Sequence, residues 1–128
     1  MIGLTIPSSR TILLRVNQVN VTNTLAHELA HAYSVDRLTN AQLAYFSRRL
    51  SEPGFFFGSS YFSSPAESWA NNQARCAGYY QGVPGVKYRY VSCQVLRDTI
   101  AYSPVQAVAA PIRARVFVQA RRVVDWRH

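Results

Sequence analysis

The chain has 128 residues, of which 48% are apolar, and its 14 Lys and Arg against 6 Asp and Glu give a formal net charge of +8. This composition excludes a disordered chain, and no stretch approaches the ~20 consecutive apolar residues of a membrane-spanning helix. The length predicts a single domain over residues 1–128, in which residues 104–128 form a basic amphipathic extension.

The first half of the chain predicts one strand and two helices. Residues 11–16 are rich in β-branched residues and leucine, which is typical of a strand. A helix is expected from about residue 24 to 35, with Thr22 or Asn23 as its N-cap. A second helix is expected to begin at Thr39 or Asn40. Each helix has one apolar face, formed by Leu25, Leu29 and Ala32 in the first and by Leu43, Phe46 and Leu50 in the second.

The second half begins with an aromatic loop. Residues 51–64 combine glycine, serine and five aromatic side chains without periodicity, which indicates a loop that either walls a substrate cleft or covers the core. Ser64 and Pro65 then predict the start of a helix that continues to about Ala77. Residues 87–91 predict a strand and residues 95–101 a helix or a strand. Residues 112–124 are amphipathic at either period, and a helix is favoured over a strand. The expected fold is α+β and mainly helical, with a small N-terminal strand or sheet packed on the first helix.

One motif carries most of the chemistry. The first helix contains His27-Glu28-Leu29-Ala30-His31, in which the two imidazoles lie one turn apart on the same helix face. Two imidazoles at this spacing can hold one Zn²⁺, and Glu28 is placed to act on a water beside the metal. The alternative is a helix with two partly exposed histidines and a surface glutamate. The only other histidine of the chain is the terminal His128.

A catalytic zinc site needs a third protein ligand. Glu67 is the favoured candidate, because it lies in the first turn of its own helix, on a face whose other residues are small enough for close packing. The alternative for Glu67 is a capping box, in which its carboxylate folds back onto the backbone of Ser64. The other acidic or imidazole candidates in the chain are Asp36, Glu52, Asp98, Asp125 and His128.

These segments resemble the gluzincin group of zinc metallopeptidases, in which His-Glu-x-x-His on one helix is completed by a Glu on a later helix. The run from His27 to Tyr33 and the run Ser64-Pro65-Ala66-Glu67-Ser68-Trp69-Ala70 look like small metallopeptidases of bacteria and their phages. The resemblance covers about residues 13–78. It implies a zincin-like fold, Zn²⁺ held by His27, His31 and Glu67, Glu28 as general base, and a peptide or protein substrate.

A peptidase of this kind would hydrolyse the peptide bond with a metal-activated water, and Glu28 would take the proton of that water and pass it to the leaving amine. The oxyanion formed during the reaction also needs a hydrogen-bond donor besides the metal. Tyr61 is the first candidate for this donor and Tyr33 the second. Either tyrosine could instead be an ordinary core or surface residue.

The basic charge favours two competing functions. The chain could be a catalytically inactive zincin-like domain, or a basic module that binds a polyanion such as nucleic acid or a cell-wall polymer. Tyrosines interleave with cations at residues 79–90, as a polyanion-binding surface would require, although such a run is also typical of a solvated surface. The arginines of the C-terminal extension are Arg113, Arg115, Arg121, Arg122 and Arg127.

The two cysteines of the chain, Cys76 and Cys93, predict either one disulfide bond or two buried thiols. A disulfide would indicate an oxidising compartment. Residues 1–16 lack the basic region and uninterrupted apolar run of a signal peptide. We expect a secreted or cell-envelope location in preference to a cytoplasmic one.

Overall fold

The chain folds into helices packed beside a β-hairpin. A computed structural model describes residues 3–15, 21–79 and 87–104, and within these ranges there are four α-helices and one two-stranded antiparallel sheet. This mixture agrees with the expected α+β class. None of the helices in the described ranges is both long and apolar enough to cross a bilayer.

The hairpin is formed by β1 (Gly3–Ile6) and β2 (Thr11–Leu14), with Gly3 opposite Leu14 and Ile6 opposite Thr11. A short 3₁₀ turn and Arg10, in the left-handed region at φ 54°, connect the strands. The predicted strand at residues 11–16 is therefore confirmed over Thr11–Leu14. The first strand was not predicted, since four residues that include a glycine carry little strand signal on their own.

The first helix, α1, spans Val21–Arg37 and is longer than predicted. Thr22 and Asn23 lie inside it, so the expectation that one of them is the N-cap is wrong. α1 packs against β1, with Thr24 beside Gly3, and this tertiary contact outweighs the preference of the two residues for a cap. The buried positions of α1 also differ from the prediction, because Leu25 and Leu29 are only half-buried. Its buried residues are Thr24, Glu28, Ala30, Ala32 and Ser34.

The other helices begin where the sequence indicates. In α2 (Asn40–Arg49), the Thr39 side chain and the Gln42 side chain form a reciprocal capping box. In α3 (Pro65–Cys76), the Ser64 hydroxyl is the N-cap. Residues 95–101, for which the sequence left helix and strand open, belong to a helix, α4 (Cys93–Ala101). The α2 face predicted to be apolar does contact the core, with Phe46 and Leu50 buried and Leu43 packed against them.

The core lies between α1, α2 and α3 and is centred on Trp69. The Trp69 ring meets the Phe46 ring edge to face, with ring centroids 5.3 Å apart, and its Nε1 donates a hydrogen bond to the Ala30 carbonyl at 3.1 Å. Ala70 and Ala74 are buried on α3, which lets that helix lie close against α1. The small-residue face predicted for α3 is therefore the face that packs.

The predicted strand at residues 87–91 is wrong, since the segment is irregular. Its backbone bonds to α3 side chains instead of to another strand. The Arg89 carbonyl accepts hydrogen bonds from Ser68 Oγ and Asn72 Nδ2, both at 2.7 Å, and the Val91 carbonyl accepts one from Arg75 Nη2 at 2.7 Å. The Arg89 and Val91 carbonyls therefore have hydrogen-bond partners without a neighbouring strand.

Cys76, the last residue of α3, forms a disulfide with Cys93, the first residue of α4. The bonded alternative of the sequence prediction is therefore the one found. The helix predicted at residues 112–124 and all but the first residue of the basic extension lie outside the described residues.

Candidate metal centre

His27 and His31 point from α1 into a cleft. Their ring centroids are 4.8 Å apart and their Nε2 atoms 3.2 Å apart. This closeness follows from the four-residue spacing, which places both side chains on the same face of the helix. Both rings are partly buried, so they are shielded from bulk solvent but open to the cleft.

Glu67 reaches both histidines from α3. Its Oε2 lies 3.0 Å from the Nε2 of His27 and 3.0 Å from the Nε2 of His31, and the residue is 3% exposed. The Glu67 backbone N–H donates to Ser64 Oγ at 3.3 Å, as in the first half of a capping box. The second half is not made, since the carboxylate is directed at the imidazoles. The Glu67 carboxylate therefore lies against the two imidazoles and not on the Ser64 backbone.

The electrostatics of Glu67 favour the ionised carboxylate. Burial on its own raises the pKa of Glu67, but hydrogen bonds with His27 and His31 and the nearby His31 charge outweigh it. The pKa of Glu67 is therefore held well below its usual value. A carboxylate that stays ionised while buried is ready to bind a cation.

The three ligand atoms fit a metal ion. Donors at about 2.05 Å from a tetrahedral zinc lie about 3.3 Å from one another. The observed separations of 3.0, 3.0 and 3.2 Å are close to the edges of such a tetrahedron. In the described part of the chain, His27, His31 and Glu67 are the group whose donor atoms converge in this way. They could hold a metal ion and leave a fourth position for water or substrate.

The other predicted third ligands are engaged elsewhere or lie outside the described residues. Asp36 pairs with Arg10 at 3.3 Å and with Arg37 at 3.0 Å. Glu52 pairs with Arg89 at 2.7 Å, and Asp98 accepts a hydrogen bond from Gln94 at 2.7 Å. Asp125 and His128 fall in the part of the chain that is not described.

Glu28 lines the same cleft as His27, His31 and Glu67. It is 7% exposed, and its Oε2 accepts a hydrogen bond from Thr5 Oγ1 at 2.5 Å. The predicted general base is therefore a buried carboxylate in the same cleft as the two imidazoles, not a surface glutamate.

The cleft has a volume of about 850 Å³ and mainly apolar walls. The hairpin, α1 and the aromatic loop all contribute to these walls. Of the three consecutive phenylalanines of the loop, Phe55 belongs to the core and Phe56 lines the cleft, so both alternatives for the loop apply, each to a different residue. The large side chains that line the cleft are Leu4, Val35, Phe56, Tyr61, Phe62 and Tyr88.

Tyr61 lies on this wall and is 70% exposed. Partial burial, a side-chain interaction with Glu67 and the negative charges of Glu67 and Glu28 together raise the pKa of Tyr61. The phenol therefore stays protonated and can donate. The second candidate, Tyr33, instead packs against the core and stacks on Trp69, with ring centroids 6.3 Å apart.

Tyr88 is a cleft residue that the sequence did not reveal. Its ring lies 5.9 Å from the His27 ring and 6.0 Å from the Phe62 ring, measured between centroids. Burial, followed by the charges of Glu67 and Glu28, raises the pKa of Tyr88 to about 12. In the sequence, Tyr88 looked like one tyrosine of a basic surface, and no local pattern separates it from its neighbours.

Two arginines near that expected basic surface make contacts inside the protein. The Arg89 guanidinium bonds to Glu52 and to the Leu50 carbonyl. Arg75 lies over the Tyr90 ring, 4.6 Å from its centroid. The five arginines predicted to bind a polyanion lie outside the described residues.

Comparisons of the chain with protein families, with curated proteins and with solved structures found no match. Its function is therefore inferred from the chemistry of the site.

Proposed function

We propose that the protein is a zinc-dependent metallopeptidase with a minimal zincin-like fold. The observation that carries the proposal is the convergence of His27 Nε2, His31 Nε2 and Glu67 Oε2 at tetrahedral spacing. Two imidazoles and one carboxylate form a donor set that is used by catalytic zinc sites. Mg²⁺ and Ca²⁺ prefer sites made of oxygen ligands, so this set favours zinc.

Zinc bound at this group would polarise the scissile carbonyl and make water a nucleophile at neutral pH. Glu28 is the proposed general base, because its carboxylate lines the same cleft and is held by a hydrogen bond. A purely structural metal site has no need of this carboxylate. The Tyr61 hydroxyl is the proposed donor for the oxyanion, since it stays neutral and contacts Glu67 at the edge of the cleft.

The walls of the cleft support a peptide substrate with apolar side chains. None of the arginines lines the cleft in the described part of a chain whose net charge is +8, whereas six large apolar or aromatic residues do. Such walls gain free energy by burying apolar side chains next to the bond that is cleaved. The disulfide supports an oxidising compartment, such as the cell envelope or the exterior of the cell.

Metal analysis of the purified protein tests the site. We expect one zinc per chain in the wild type and a large loss in His31→Ala and Glu67→Gln, because each variant leaves only two protein ligands. Asp98→Asn is a matched control, since this carboxylate bonds to Gln94 on α4. Wild-type protein that holds no zinc after dialysis against zinc would contradict the proposed site.

A proteolysis assay then separates catalysis from metal binding. Glu28→Gln should retain zinc and lose cleavage of an unstructured protein substrate such as casein. Zinc retention with unchanged cleavage would remove Glu28 from the mechanism. Zinc binding without cleavage by the wild type would favour the inactive zincin-like alternative. Retention on a polyanion column that does not change in His27→Ala would instead favour a basic binding module.

A further inference from the structure

The Glu28 carboxylate is held by the hairpin. Thr5 Oγ1 lies 2.5 Å from Glu28 Oε2 and 3.0 Å from the Glu28 carbonyl oxygen, 23 residues away in sequence. The shorter contact has the length of a charge-assisted hydrogen bond from a hydroxyl to a carboxylate. Glu28 therefore receives a donor from β1, an element that contains none of the three metal-facing residues.

Gly3 makes room for the same carboxylate. A Cβ atom at Gly3 would lie 2.9 Å from both Cγ and Oε1 of Glu28 and 2.6 Å from Cγ2 of Thr24. Residues two apart on a strand face the same side, so Gly3 and Thr5 both face α1. Gly3 leaves the space that the Glu28 side chain occupies, and Thr5 donates a hydrogen bond to its Oε2.

We propose that Thr5 and Gly3 are positioning residues for Glu28, and this inference rests on the proposed peptidase function. Thr5 binds Oε2, which fixes the rotation of the carboxylate about its terminal bond. Without this contact, several rotamers of a long side chain would share the space, and only some would point a free oxygen at the reacting water. The β1 strand thus contributes to catalysis through Glu28, without contacting the metal or the reacting atoms.

Steady-state kinetics of three variants tests the role of Thr5. Thr5→Val keeps the shape and the strand preference but removes the donor. We expect its kcat to fall about tenfold, as expected for loss of a hydrogen bond to a charged group, with KM changed less than about twofold. Thr5→Ser should restore most of kcat. Thr11→Val, the same substitution on β2 where the hydroxyl donates to the Ser9 carbonyl, is the control and should match the wild type.

Two measurements do not depend on activity. Zinc content should be unchanged in every Thr5 variant, because Thr5 bonds to none of the metal-facing residues. A double-mutant cycle of Thr5→Val with Glu28→Ala, measured by denaturant unfolding of the protein as purified, should give a coupling of about tenfold in the unfolding equilibrium constant.

Gly3→Ala should lower kcat with zinc retained, because the added methyl displaces the carboxylate.

The outcomes distinguish failure of the positioning role from failure of the peptidase proposal. A coupling below about twofold, or a Thr5→Ser variant as slow as Thr5→Val, overturns the positioning role while leaving the peptidase proposal intact. Wild-type protein that binds zinc but cleaves no peptide contradicts the peptidase proposal. In that case a positive double-mutant cycle identifies the Thr5 contact as structural only, and the positioning role is overturned with it.

Discussion

Removing the Cys76–Cys93 disulfide should cost a calculable amount of stability and leave the proposed zinc site intact. The bond joins residues separated by 17 positions. In the loop-entropy description, closing a loop of this length removes about 10 cal/mol/K from the unfolded chain, which is about 3 kcal/mol at 25 °C. The double variant Cys76→Ser/Cys93→Ser should lose about this much free energy of unfolding.

Thermal unfolding measures the loss. At about 2.1 cal/mol/K per residue, 128 residues give an unfolding entropy near 0.27 kcal/mol/K, so ~3 kcal/mol corresponds to a fall of about 10 °C in Tm. Wild-type protein with a reductant should unfold at about the temperature of the double variant. A loss below about 1 kcal/mol would show that the loop is already constrained in the unfolded chain, and it would refute the calculation.

Zinc content provides the second readout of the same experiment. His27 and His31 lie on α1 and Glu67 lies in the first turn of α3, so all three precede the loop that the disulfide closes. Well below its Tm, the double variant should therefore keep its zinc. Loss of zinc at 25 °C from a variant that is still folded would show that the disulfide holds the metal site itself.

Two further predictions follow from the charges in the cleft. In protein stripped of metal by a chelator, the pKa of Glu67 lies below its ordinary value of 4.5, so the stability that Glu67 contributes is present above pH 4.5 and is lost as the pH falls further. Glu67→Gln should flatten this part of the curve of unfolding free energy against pH. An unchanged slope would contradict the assignment. Tyr61→Phe should lower kcat about 100-fold with zinc retained, which is the effect of losing one oxyanion donor. Tyr90→Phe is the control and should leave kcat unchanged, because Tyr90 is exposed and does not line the cleft. Equal effects of the two variants would exclude the proposed role of Tyr61.

The features that sequence predicts best in this protein are those encoded locally. Ser64 and Pro65 place the start of α3 correctly because an N-cap and a first-turn proline act within four residues. The two histidines converge because their spacing matches one helical turn. The approach of Glu67 to the imidazoles was predicted from its position in a first turn and from the small residues that follow it, and both are visible in the chain.

The features that sequence could not supply depend on distant contacts. The alternation at residues 87–91 resembles a strand, but Ser68 and Asn72 of α3 bind the backbone there, and the choice between the two arrangements depends on side chains about 20 residues away. The same bonds hold the segment that carries Tyr88 to the cleft. Thr5 likewise gains its contact with Glu28 only because β1 pairs with β2 and packs on α1. Neither residue lies in a motif.

The arrangement of His27, His31 and Glu67 is held by the core. Trp69 Nε1 donates to the Ala30 carbonyl across 39 residues of sequence. Trp69 is two residues from Glu67, and Ala30 is one residue from His31. The contact that fills the core therefore also fixes the register of α3 against α1, and with it the distance from the carboxylate to the imidazoles. A ligand set held in this way loses little conformational entropy when a metal binds, so more of the coordination energy remains as affinity.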